Sequence, residues 1–158
     1  MKKFVKISAI AFLFFILALG VGVYFLSHPP EEAKLIHKFN ENRAAFEQLR
    51  EMLQADPNLS RHGQYSPPEK IEKYQSLLKV VGNPIAYASG KGTNADLSFM
   101  VWGWGFAGEA EHLDICWLHE RPTNQIATMD GYQGQSDFAN RVCVFKHIDQ
   151  QWYLSVDW

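Results

Sequence analysis

The sequence predicts an α+β domain carried behind a hydrophobic N-terminal helix. Three observations lead there. The run from Ile7 to Leu26 has no charged residue, apolar residues recur at helical spacing between Glu31 and Val81, and the pattern changes to two-residue alternation from Ile85 onward. The expected architecture is an N-terminal transmembrane helix followed by two amphipathic helices packed on a four- to five-stranded, mainly antiparallel sheet.

The first element follows from length and charge. Residues 1–6 hold Lys2, Lys3 and Lys6 and no acid, and only Ser8, Gly20, Gly22 and Tyr24 interrupt the apolar run at 7–26. A helix of about 20 apolar residues spans the ~30 Å hydrocarbon layer. The first charges after the run are Glu31 and Glu32, so the positive-inside bias places the N-terminus in the cytoplasm and residues 27–158 across the membrane. In a bacterium this is a single-pass inner-membrane protein with a periplasmic domain. The rival is a signal peptide cleaved near Gly20, where Ala18-Leu19-Gly20 offers a small-x-small site. Val21 to Leu26 prolong the run beyond the ~7–15 residues of such a segment, which favours the signal anchor.

Pro29 and Pro30 end the first helix, because a residue before proline disfavours the helical region. Glu31 to Ala55 reads as one long amphipathic helix, with Leu35, Phe39, Phe46, Leu49 and Leu53 on its apolar face. Glu31 and Glu32 suit its positive end, and Arg43 stands four and eight residues before Glu47 and Glu51 for pairing. Asp56-Pro57-Asn58 stops it. Ser66-Pro67-Pro68-Glu69 has the form of a capping box, opening a helix with Ile71, Tyr74, Leu78 and Val81 on one face. Gly82 can close it in the left-handed conformation and Pro84 prevents its continuation.

Strands are expected over Ile85 to Ser89, Leu97 to Trp104, His112 to Glu120, Arg141 to Ile148 and Trp152 to Trp158. The last two form a hairpin through Asp149-Gln150-Gln151, and 121–140 reads as a long polar loop. The two amphipathic helices are expected on one face of the sheet.

Composition narrows the function. Residues 27–158 carry 12 Lys and Arg against 17 Asp and Glu, a net of −5, with no basic run. That argues against nucleic acid and against peripheral binding to anionic lipid. Gly103 to Gly108 lacks the lysine of a phosphate loop and the βαβ context of a dinucleotide fingerprint, so its glycines are read as strand glycines covered by Trp102, Trp104 and Phe106. Glu109, Glu111, His112, Asp114 and His119 form the densest ionisable group. On a strand His112, Asp114 and Cys116 share a face. With no HExxH or CxxC spacing, a solvated strand face is preferred to a metal site, and no cofactor is expected. Cys116 with His119 or His147 is the one thiol–imidazole candidate, and there is no GxSxG elbow.

Cys116 and Cys143 are candidates for a disulfide closing 26 intervening residues in an oxidising compartment, worth ~3 kcal/mol on the chain-entropy view, or else two buried thiols. Trp102, Trp104, Phe106, Trp152 and Trp158 are candidates for an aromatic binding surface, since strand alternation prevents all of them from facing one core.

The run Phe39-x3-Arg43-x2-Phe46-x2-Leu49-x2-Met52 followed by Asp56, with Trp102–Gly108 and Trp152-Tyr153-Leu154, resembles small bacterial envelope proteins that begin with a signal anchor or lipobox and continue into a small α+β domain. No lipobox cysteine follows the apolar run here. The resemblance implies an envelope location and supplies no catalytic residue. The expected function is therefore a membrane-anchored, periplasm-facing binding or interaction domain without catalytic activity, its partners the bilayer and an envelope protein. Alternatives are an immunity-type protein that neutralises an exported toxin, or an envelope hydrolase using the Glu109–His119 group.

Overall fold

The computed structural model describes residues 12, 14–24, 28–61, 66–90, 92–104, 111–130 and 143–157. Among the described residues the fold is α+β: four α-helices and one five-stranded antiparallel sheet, with every α-helix preceding every strand. Helix α1 covers residues 14–24. Its described large apolar side chains, from Phe12 to Tyr24, are all exposed, and none belongs to the buried core. Residues 1–11, 13 and 25–27 lie outside the described residues, so Lys2, Lys3, Lys6 and both ends of the expected span are not seen. Among the described residues no helix is long and apolar enough to cross a membrane.

The expected helix over Glu31–Ala55 is two helices, α2 (Glu32–Glu41) and α3 (Arg43–Ala55). Asn42 breaks it. Its backbone leaves the helical region at φ −112° and ψ 17°, and its Nδ2 donates to the Lys38 carbonyl at 2.9 Å. Asparagine competes with the helix for just such backbone partners, which is why it disfavours helix interiors. The bend keeps both apolar faces on the sheet, where Phe39 and Phe46 lie 5.2 and 5.8 Å from Trp152, ring centre to ring centre. The expected Arg43–Glu47 pairing gives way to tertiary contacts. Arg43 pairs with Asp149 at the end of a strand, and Glu47 binds Arg50 and the Trp152 indole N–H.

Helix α4 (Pro68–Val80) packs against α3. The capping box expected at Ser66 is not formed. Pro67 stands at the cap position, and the Ser66 hydroxyl donates instead to Asp56 Oδ2 at 2.8 Å, tying the end of α3 to the start of α4. At the other end Gly82 has φ +91° and the Asn83 N–H returns to the Leu78 carbonyl at 2.7 Å, the left-handed closure expected there. Tyr74 is the one buried residue of α4, and burial pushes its hydroxyl up to about 12.

The strands are β1 (Ile85–Ser89), β2 (Asp96–Trp104), β3 (Glu111–Trp117), β4 (Val144–Asp149) and β5 (Trp152–Asp157), in spatial order β1-β2-β3-β5-β4. β3 stops at Trp117, before Pro122 and short of the expected Glu120. β4 and β5 form the expected hairpin. Asp149 pairs with Trp152 across a two-residue turn in which Gln150 has φ +49°. Between Met100 and Trp102 the β2–β3 register shifts by a bulge, which sets Trp102 opposite Leu113. The segment 121–140 is not wholly a free loop. Gln125 bridges Phe145, the Ile126 N–H donates to the Phe145 carbonyl at 2.8 Å, and the Phe145 N–H donates to the Asn124 carbonyl at 2.9 Å. Residues 131–142 lie outside the described residues.

The helices cover one face of the sheet, as expected. Phe99, Leu113, Ile115, Trp117, Trp152, Leu154 and Val156 face Phe39, Phe46, Leu49 and Leu53 in one core. At its centre Trp152 touches Phe39, Phe46 and Phe99. Trp152 is 1% exposed, so it belongs to the core and not to a binding surface. Trp102 is partly buried against the same core. Phe106 and Trp158 lie outside the described residues, and Trp104 is described by its backbone alone. Of the glycine-rich stretch only Gly103 is described. A Cβ there would meet its neighbours at 3.5 Å or more, so no close approach requires glycine at that position.

Candidate functional site

The face of the sheet turned away from the helices carries the chemistry. Alternation along β3 sends Leu113, Ile115 and Trp117 into the core and His112, Asp114 and Cys116 to the far side. β2 and β5 flank β3 there, placing Ser98 and Tyr153 opposite Cys116, and Met100 and Ser155 opposite Asp114. Two diagonal contacts knit the row. The Ser98 hydroxyl donates to Asp114 Oδ2, and Cys116 Sγ and Ser155 Oγ share a hydrogen bond at 2.8 Å. His112 Nε2 stands 3.9 Å from Asp114 Oδ2. At the β4 side Tyr153 packs against the rings of His147 and Phe145, at 5.2 and 6.4 Å.

This row is not the solvated strand face expected from its residue types. Asp114 is 6% exposed and Cys116 3%, and Ser155 and Tyr153 are buried beside them. A buried carboxylate persists only when hydrogen bonds replace its water, and the Ser98 donor is one such replacement.

The wider Glu109–His119 group does not come together. Glu109 lies outside the described residues, and Glu111 pairs with Trp104, one position before His112 on β3 and so on the opposite face. His119 sits beyond the other end of β3, roughly 20 Å from His112 at the rise of a strand. Its backbone N–H donates to Asp96 Oδ1 at 2.8 Å and its ring packs on Trp117. Among the described residues no group of three or more His, Cys, Asp or Glu side chains could hold a metal ion.

Nor does the row assemble an activated nucleophile. A serine triad puts the imidazole between hydroxyl and carboxylate so that it takes the hydroxyl proton. Here the carboxylate is in the middle, and the Ser98 proton is directed at it. Burial pushes the Cys116 thiol well above its ordinary range. The Ser155 hydrogen bond opposes that, while the negative charge of Asp114, Cys143 and Asp96 adds to it. Such a thiol is neutral and unreactive at physiological pH.

The Cys116–Cys143 bridge is not formed, and both residues are thiols. Sheet order explains it. β5 lies between β3 and β4, and Cys116 is aligned through Tyr153 with His147, four residues beyond Cys143. Two strand spacings of about 4.8 Å already exceed the ~4.4–6.8 Å between the Cα atoms of a bridged pair. In thiol labelling of the native chain, Cys143, which is half-buried, is expected to react while Cys116 stays silent until denaturant is added. Two fast-reacting thiols in the native state would refute the closed far face.

The serines of this row leave a signal in the sequence that residue type alone does not carry. Leu97-Ser98-Phe99 and Leu154-Ser155-Val156 each set one small hydroxyl between buried apolar residues. A lone serine in an apolar strand implies a partner on the next strand, here Asp114 and Cys116. No family model, curated protein or solved structure matches the chain.

Proposed function

We propose that the chain is a membrane-tethered binding domain, anchored through residues 7–26 in a bacterial inner membrane and displaying residues 27–158 in the periplasm. The observation that carries this reading is the contrast between α1 and the rest. Among the described residues the core closes without any residue of α1, while the described apolar side chains of α1 are left in the open. An apolar surface of that extent needs a covering. The charge-free run at 7–26, preceded by Lys2, Lys3 and Lys6, supplies the chemistry that matches a bilayer. The resemblance to small envelope proteins points the same way.

A binding role without catalysis is supported by the state of the far face, where the carboxylate is already bonded to a hydroxyl and the thiol is held neutral. The acidic balance of the domain would favour a basic protein partner through steering of the encounter.

The test is extraction and topology. After alkaline carbonate washing of membranes, the full chain is expected to stay in the pellet at its uncleaved mass. A reporter joined after residue 158 is expected to be active only in the periplasm. Release into the wash, or a reporter active in the cytoplasm, overturns the tether; a mass corresponding to cleavage near Gly20 replaces it with a released periplasmic domain.

A further inference from the structure

Outside α1, the large apolar side chains exposed among the described residues are Val80 at 57%, Ile85 at 50% and Tyr87 at 54%, and the last two share one face of one strand. Ile85 and Tyr87 belong to β1, an end strand of the sheet, and Val80 closes the helix that leads into it. We propose that β1 is a dimerisation edge, at which two copies of this chain pair β1 against β1 in antiparallel fashion and join their sheets into one of ten strands.

The second copy is favoured over an unrelated strand by charge. In a symmetric pair a strand meets itself, so any charge near the axis faces a like charge, which is destabilising. From Val80 to Gly90 the chain reads Val-Val-Gly-Asn-Pro-Ile-Ala-Tyr-Ala-Ser-Gly, with no charged residue. End strands of monomeric proteins are ordinarily guarded by lysine, by proline within the strand or by a bulge. β1 has none of these: its five residues pair with β2 in unbroken register from Ile85 to Ser89. The strand also suits a two-fold axis at Tyr87. That register uses all five residues, sets Tyr87 against its own copy, Ile85 against Ser89, and Ala86 against Ala88. Side chains on the exposed face then bury an aromatic pair flanked by isoleucine, while the opposite face brings only small alanines together.

The opposite end of the sheet explains why association would stop at two. The outer side of β4 is already bonded to Asn124 and Ile126 through the Phe145 backbone, and β4 carries Lys146. With one end occupied and one open, pairing is isologous and closed, a dimer and not a growing fibre. The inference does not rest on the tether, since the same edge is available to a chain in detergent.

The experiment uses the full chain in mild detergent. Light scattering coupled to size exclusion at about 10 µM is expected to give the mass of two chains. Tyr87→Lys, at an exposed position, is expected to give the mass of one chain with unchanged circular dichroism. Register is read by cross-linking. Cβ atoms of directly opposed residues lie ~4.5–5.5 Å apart, so Tyr87→Cys is expected to form a covalent dimer on mild oxidation. Ser89→Cys, whose copy would be about four residues away, is expected to form none. A monomeric parent chain, a Tyr87→Lys chain that remains dimeric, or equal cross-linking at both positions overturns the proposal. So does a Tyr87→Cys adduct in membranes consisting of another protein alone, which would assign the edge to a foreign strand.

Discussion

Trp152→Ala is expected to cost about 3–5 kcal/mol of folding free energy, a large share of the roughly 5–15 kcal/mol that holds a domain of this size together. The indole touches both halves of the broken helix and the sheet at once, meeting Phe39 on α2, Phe46 on α3 and Phe99 on β2. Alanine removes the hub of this cluster, leaving a void that three rings fixed on separate elements cannot close. It also strips Glu47 Oε1 of the indole N–H it accepts at 2.9 Å. Trp152→Phe separates the two effects. It keeps most of the ring volume and loses the hydrogen bond, for which about 1–2 kcal/mol is expected, because Glu47 retains Arg50 at 2.8 Å. Urea unfolding followed by near-ultraviolet circular dichroism checks both variants, since four other tryptophans remain as reporters. An alanine variant within 1 kcal/mol of the parent would mean that the helices are not held to the sheet through this cluster.

The sequence made the architecture legible where periodicity is strong and local chemistry is sharp. Leu35, Phe39, Phe46, Leu49 and Leu53 announced an apolar face, and all five are buried against the sheet. Gly82 and Pro84 marked the end of α4, and the β4–β5 hairpin followed from alternation on both sides of a polar turn. What stayed hidden depended on partners distant in sequence. Asn42 was one polar residue in a helical pattern, and the apolar faces on either side of its bend meet a common partner in Trp152, over a hundred residues away. Ser66 satisfied the capping-box pattern, yet Asp56 ten residues upstream offered its hydroxyl a better-placed acceptor. The far face was misjudged for the same reason. His112, Asp114 and Cys116 were correctly placed on one side of β3, but residue type suggested water around them, and only strand order brings Ser98 and Ser155 to either side. The disulfide fell to that order too, because spacing along the chain says nothing about which strand intervenes.

Glu32→Ala is the second variant expected to weaken the domain strongly, by about 2–3 kcal/mol, since hydrogen bonds to charged groups are worth ~1.5–3 kcal/mol and the partners left behind are costly to leave unpaired. Its place in the first turn of α2 suggested only a favourable charge at the helix dipole, an effect of ~0.3–1 kcal/mol. The structure gives the side chain a tertiary role. Glu32 Oε2 accepts from the Thr128 hydroxyl at 2.9 Å and from the Met129 N–H at 2.6 Å, and Oε1 stands 3.9 Å from Lys146 Nζ on β4. The Glu32 N–H in turn donates to Asp130 Oδ1 at 3.0 Å. The carboxylate is only 13% exposed, so water cannot replace these bonds freely. The position matters because Glu32 follows Pro30 by two residues: a chain arriving from a bilayer would meet the folded domain at this point, and Glu32 fixes it to the segment 128–130 and to β4. Thr128→Val should reproduce part of the loss, and combining it with Glu32→Ala should cost less than the sum of the two. Lys146→Met, whose partner is at longer range, should couple to Glu32 by under ~1 kcal/mol. Hydrogen exchange at the Met129 amide gives the local readout. It is expected to quicken in Glu32→Ala well before the global transition, whereas an unchanged rate would show that the first turn of α2 is held to the sheet by packing alone.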